Sequence, residues 1–70
     1  MTQFIKHWIE ELELDLTHEL ENKSETNYNG LAIATCKRRL EIARDAQHLL
    51  ATGEVTIIEA ENMVAEALNI

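Results

Sequence analysis

The chain has 70 residues, of which 46% are hydrophobic, and carries a net charge of −7 at pH 7 with no proline and one cysteine. A chain of this length forms one domain, and a single cysteine excludes an intrachain disulfide. The negative charge repels nucleic acid and anionic lipid, so direct nucleic-acid binding and membrane attachment are not expected.

The composition predicts a small all-α domain in a reducing compartment. Only 4% of the residues are aromatic, and the longest apolar run, Leu31 to Ala34, is too short to cross a membrane. The N-terminal residues lack the apolar segment of a signal peptide, so we expect a cytoplasmic protein. Because a core this small seldom supplies more than about 3–5 kcal/mol, we also expect self-association, as a dimer or a higher oligomer.

Apolar residues at spacings of three and four predict a first helix over about residues 3–21. They are Ile5, Trp8, Ile9, Leu12, Leu16 and Leu20. On the polar side, Glu10, Glu13 and Glu21 cluster and form a candidate binding surface for a protein partner. Phe4 and Leu14 depart from the apolar stripe and could extend a contact surface.

The polar side of the first helix also has a pattern typical of metal ligands. His7, Glu11, Asp15 and His18 step at i, i+4, i+8 and i+11. Two histidines with carboxylates can hold a divalent ion, but a histidine and an acid four residues apart also form ordinary surface pairs. We therefore assign no metal and no cofactor to the chain.

Residues 22–30 are polar, end in Asn-Gly and predict a loop that lets the first two helices pack antiparallel.

The second helix is predicted over about residues 31–52, and its apolar arc of roughly 200° is about twice the usual width. One apolar stripe contains Ile33, Cys36, Leu40 and Ala43, and a second contains Leu31, Ile42, Ala46 and Leu49. An arc this wide needs neighbours on two sides. We expect the first helix to cover one stripe, and we predict an oligomer interface at Leu31, Ile42 and Leu49.

Four of the six basic residues also lie on the second helix, at Lys37, Arg38, Arg39 and Arg44. In a symmetric oligomer, copies of Arg38, Arg39 and Arg44 could converge on a small anionic ligand. Arg39 lies within the apolar arc, where an arginine usually lays its stem along the core and meets a carboxylate at the edge. Asp15 and Glu19 of the first helix are the expected partners.

The third helix is predicted over about residues 56–69. Gly53 is typical of the residue after a helix C-terminus, and Thr56-Ile-Ile-Glu59 has the pattern of a capping box. The helix is short and rich in alanine, so it covers less area than a leucine-rich helix would.

Charge is distributed unevenly along the chain. Residues 1–29 carry seven acidic and two basic side chains, residues 30–52 carry two and four, and residues 53–70 carry four and none. Two explanations fit this pattern: the acids keep an apolar-rich protein soluble, or they bind a basic protein surface.

Our main functional hypothesis is a non-enzymatic protein–protein interaction module, an inhibitor or adaptor that presents carboxylates to a basic protein surface. In size, charge and helicity alone, the chain resembles the DNA-mimic inhibitors of phages and mobile elements. The alternatives are a homo-oligomer that binds an anionic ligand such as a nucleotide through the arginines, and a structural subunit of a larger assembly. The sequence has no pattern of a nucleophile with its base and no glycine-rich phosphate loop, so we do not expect an enzyme.

Overall fold

The computed structural model describes residues 3–21 and 30–70, and within them the chain forms three α-helices. These are α1 (Gln3–Glu21), α2 (Gly30–Ala51) and α3 (Ile57–Ala67). The prediction of an all-α domain with a shorter third helix is confirmed, and the helix bounds agree within two residues. Of the predicted loop, residues 22–29 lie outside the described residues, and Gly30 is the first residue of α2.

Helices α1 and α2 pack antiparallel, as predicted. Ile5, near the start of α1, lies beside Leu50 and Ala51 at the end of α2. Further along α1, Glu13 lies beside Arg44, with 3.7 Å between Oε1 and Nη2. The chain therefore forms a helical hairpin, and α3 packs mainly against α2.

The core is formed by residues from all three helices. Its buried members are Ile5, Ile9, Leu12, Leu40, Ala43, Ala46, Ala60 and Val64. Burial of an isoleucine, leucine or valine stabilises the fold by roughly 1.5–3 kcal/mol. The alanines of α2 and α3 have small side chains, so they let these two helices approach closely.

The junction between α2 and α3 follows the predicted glycine signal. Gly53 has φ +80°, and no heavy atom lies within 4 Å of the position that a Cβ would take there. The Gly53 N–H donates to the Leu50 carbonyl at 3.2 Å, and the Glu54 N–H donates to the Leu49 carbonyl at 2.9 Å. This pair of bonds is a Schellman motif, in which a glycine adopts the left-handed conformation that ends the helix.

The predicted capping box at the start of α3 is also confirmed. The Glu59 N–H donates to Thr56 Oγ1 at 3.2 Å, and the Thr56 N–H donates to Glu59 Oε1 at 3.0 Å. Thr56 has extended dihedrals of φ −79° and ψ 166°, as a residue just outside a helix does. The chain can therefore turn back on α2 within a few residues.

The third helix covers only part of the hairpin. It has 11 residues against 22 for α2, so its axis is about 16 Å long and that of α2 about 33 Å. Beyond α3, the main-chain oxygen of Ile70 accepts a hydrogen bond of 2.6 Å from Arg39 Nη2. The part of the hairpin past Arg39 is consequently not covered by α3.

Candidate functional site

The three glutamates predicted to bind a partner are exposed on α1. Glu10, Glu13 and Glu21 lie within about 80° of one another around the helix axis, and Leu14 lies about 20° beyond Glu21, at the edge of this arc. Leu14 is 63% exposed. We call these four residues the acidic face. It combines negative charge with one large apolar side chain that the helix does not use for its own packing.

Arg44 of α2 lies close to Glu13, at one edge of the acidic face. Its Nη2 lies 3.7 Å from Glu13 Oε1, and both side chains are more than half exposed. An exposed pair of this kind contributes about 1 kcal/mol or less because water and salt screen it. The Glu13 carboxylate therefore remains accessible to a partner.

The three candidate anion-binding arginines do not converge within one chain. Arg38 Nη1 pairs with Glu41 at 3.2 Å on its own helix, Arg44 pairs with Glu13 of α1, and Arg39 bonds to Ile70. Neighbouring helix positions point about 100° apart, so each of these arginines lies on a different side of α2. A shared phosphate clamp would require arginines from a second copy of the chain.

The histidine and acid pattern of α1 does not form a ligand cluster. Eleven helical steps of 1.5 Å separate His7 from His18 by about 16 Å, too far for one ion. Within residues 3–21 and 30–70, no group of three or more histidine, cysteine or acidic side chains is close enough to hold a metal.

The predicted oligomer residues are covered to different degrees. Leu31 is 85% exposed, whereas Ile42 and Leu49 are half-buried. Ile42 lies beside Met63 and Ala67 of α3 and beside Ile70. The third helix therefore covers more of the second stripe than its alanine content indicates.

Past the end of α3, described residues of α1 and α2 line a groove that the sequence pattern does not reveal. Its volume is about 590 Å³. Its lining consists of Asp15, His18 and Glu19 of α1 with Leu31, Ala32, Thr35, Cys36 and Arg39 of α2. We call it the distal groove. Its α2 side combines small and apolar side chains with the Arg39 guanidinium, and its α1 side carries His18 and two carboxylates.

Cys36 has an electrostatic environment that reflects this geometry. The side chain is 7% exposed. Burial raises the pKa of the thiol above its ordinary value, the negative charges of Asp15 and Glu19 raise it further, and Arg39 lowers it in part. The carboxylates of the α1 side therefore act on a thiol of the α2 side, and Arg39 offsets part of their effect.

Arg39 lies between the surface of the hairpin that α3 covers and the distal groove. One of its guanidinium nitrogens, Nη2, bonds to Ile70, while Nε is buried without a hydrogen bond to any residue that the structure describes. The predicted carboxylate partners, Asp15 and Glu19, line the same groove. The unequal lengths of the predicted helices were the sequence signal for this opening, because a third helix over residues 56–69 is too short to follow the whole of α2.

Comparison with known proteins gives no relative from which a function could be transferred. No family model, no curated protein and no solved structure matches this chain. None of the helices in the described part of the chain is both long and apolar enough to cross a lipid bilayer.

Proposed function

We propose that the protein is a non-enzymatic interaction module that presents the acidic face to a basic surface of a protein partner. The observation that carries this proposal is the placement of three exposed glutamates on one side of α1, with an exposed leucine at the edge of their arc. Carboxylates steer and orient a basic partner, and an adjacent apolar side chain adds area that can be buried on contact. An inhibitor or adaptor acting in the cytoplasm fits this chemistry.

Two further features support a protein partner. The net charge of −7 favours encounter with a positively charged surface. None of the acidic-face residues belongs to the buried core, so we expect changes on that face to leave the helices folded. Copies of the chain that associate through Leu31, Ile42 and Leu49 would present the acidic face more than once, which raises avidity for a partner with repeated sites.

The test is a capture experiment with matched charge variants. We expect Glu10→Lys, Glu13→Lys and Glu21→Lys together to abolish retention of the partner on immobilised protein while helicity stays unchanged. The control combines Asp45→Lys, Glu54→Lys and Glu66→Lys, which changes the net charge equally on exposed positions elsewhere. Equal loss of the partner in both variants would contradict a specific acidic face.

The same experiment separates the other functional hypotheses. Duplex DNA added as a competitor should release a partner whose basic surface binds DNA, as expected for a DNA mimic. Retention that survives the three glutamate changes but is lost with Arg38→Glu would instead support binding of an anionic ligand through α2.

A further inference from the structure

Within the described residues, Glu13 is the member of the acidic face that forms an ion pair. Its Oε1 lies 3.7 Å from Nη2 of Arg44, which reaches across from α2. Glu10, three positions earlier on the same side of α1, forms no ion pair with a residue in the ranges 3–21 and 30–70. A basic partner therefore meets a carboxylate at Glu13 that already has a cation beside it.

The packing of the hairpin places Arg44 at this edge of the acidic face. Because α1 and α2 are antiparallel, Glu13 and Arg44 lie opposite each other. Arg44 lines a groove of about 320 Å³ together with Leu16 of α1 and Leu40 of α2. An arginine in such a place lays its apolar stem along the hydrophobic side chains and leaves the guanidinium in water. Helix packing as well as Glu13 thus sets the position of this cation.

Other charged groups near Arg44 do not draw it away from Glu13. The same groove is also lined by Lys37, Glu41 and Asp45. None of these three forms an ion pair with Arg44 or Glu13, and Glu41 instead pairs with Arg38 at 3.2 Å. Lys6, on the same side of α1, likewise forms no ion pair with a described residue. Arg44 is therefore the cation that competes directly for an acidic-face carboxylate within the described chain.

The pair between Arg44 and Glu13 is weak enough to open. The side chain of Arg44 is 58% exposed and that of Glu13 is 51% exposed. Water and salt screen an ion pair at this exposure, so a cation of a partner can replace Arg44 beside the carboxylate. The exchange breaks one exposed pair to form another, so Glu13 contributes less to binding than a carboxylate without an internal cation.

We propose that Arg44 limits the affinity of the acidic face by competing with the partner for Glu13. The inference rests on the proposed function, because it requires that cations of a partner bind the acidic face. It makes Arg44 an autoinhibitory residue, since the free chain keeps part of its negative surface neutralised and the partner must displace the guanidinium. Removal of the guanidinium should therefore strengthen binding, and only while Glu13 is present.

Paired glutamine variants test the competition. The probe is a fluorescein-labelled peptide of about ten lysines, and its binding to the full chain is followed by fluorescence anisotropy at low salt. Arg44→Gln should raise the affinity by roughly 1.4- to 5-fold more than Arg38→Gln does, the factor that corresponds to one exposed ion pair. Arg38 is the matched control, because its side chain is also 58% exposed and also pairs with a glutamate, but Glu41 lies outside the acidic face. Both variants change the net charge by the same amount.

The Glu13→Gln background shows where the gain in affinity arises. In that background, Arg44→Gln should raise the affinity no more than Arg38→Gln does, because no charged carboxylate remains at position 13. Circular dichroism should show the same helicity in every variant, since the side chains of Glu13, Arg38 and Arg44 are all exposed.

The outcomes separate this inference from the proposed function. If neutralising the three acidic-face glutamates weakens peptide binding no more than neutralising Asp45, Glu54 and Glu66, the acidic face does not select cations and both proposals are wrong. If the acidic face does bind the peptide, two results overturn the competition alone. One is an equal effect of Arg44→Gln and Arg38→Gln, and the other is an excess gain that persists without the Glu13 carboxylate.

Discussion

At the scale of single residues, Cys36 is the side chain whose chemistry the fold changes most clearly. The sequence predicts a small apolar residue on the arc of α2, and the structure buries it beside two acids and one arginine. Desolvation and the nearby carboxylates both disfavour the thiolate, while Arg39 favours it. A thiolate is the reactive form of cysteine, so this environment lowers the reactivity of Cys36 near neutral pH.

We therefore expect the alkylation of Cys36 to follow a pH profile with a midpoint above the ordinary thiol value of about 8.5. Asp15→Asn with Glu19→Gln should lower the midpoint, because it removes the two charges that add to desolvation. Glu10→Gln with Glu21→Gln should leave it in place. Iodoacetamide alkylation measured between neutral and alkaline pH checks this, and identical midpoints in all three proteins would contradict the electrostatic account.

The same pKa change predicts how stability depends on pH. Because the folded pKa is raised, the native state binds more protons than the unfolded state between about pH 8.5 and the folded value. The contribution to stability is fully present below about pH 8.5 and is lost as the pH rises through the folded value. Urea unfolding should show this decline in the parent protein and a smaller decline in Cys36→Ala.

At the scale of helices and their junctions, the strongest sequence signals were local. Thr56, Glu59 and Gly53 act through bonds to residues at most five positions away, so their roles could be predicted without the fold. The hydrogen bond of Arg39 could not be predicted from local sequence. Its partner Ile70 is 31 positions distant, and its location depends on where α3 ends. The distal groove was missed for the same reason, since it exists only where two helices continue past a third.

The junction between α2 and α3 gives a prediction about stability. Thr56→Ala removes one side-chain cap and should lower the free energy of unfolding by about 0.5–2 kcal/mol. Gly53→Val should cost about 1–3 kcal/mol, because a β-branched residue is strained at φ +80° even though space is open there.

Gly53→Asn is the control for the junction, since asparagine tolerates the left-handed conformation better than other residues. It should be less destabilising than Gly53→Val. Chemical denaturation monitored by circular dichroism measures all three variants. If Gly53→Val and Thr56→Ala unfold like the parent protein, the motifs at this junction contribute nothing measurable.

At the scale of the whole molecule, the net charge has opposite effects on self-association and on binding of a basic partner. Identical chains repel because each carries a net charge of −7, whereas a basic partner is attracted. Salt screens both effects. Added salt should therefore favour contact between copies of the chain and weaken the binding of the proposed basic partner.

The last prediction is a weak dimer formed through Leu31, Ile42 and Leu49. Burial of Leu31 contributes roughly 1.5–3 kcal/mol per copy, and the half-buried Ile42 and Leu49 add less, against an association cost of about 4–15 kcal/mol. The balance is close, so we expect light scattering coupled to size exclusion to show a mass above 8.0 kDa that rises with protein and salt concentration.

Leu31→Glu should restore 8.0 kDa without loss of helicity, because that side chain is 85% exposed and lies outside the core. Ile58→Glu, on the outer side of α3 at 67% exposure, should leave the association unchanged. A constant mass of 8.0 kDa for the parent protein at every concentration would contradict the dimer.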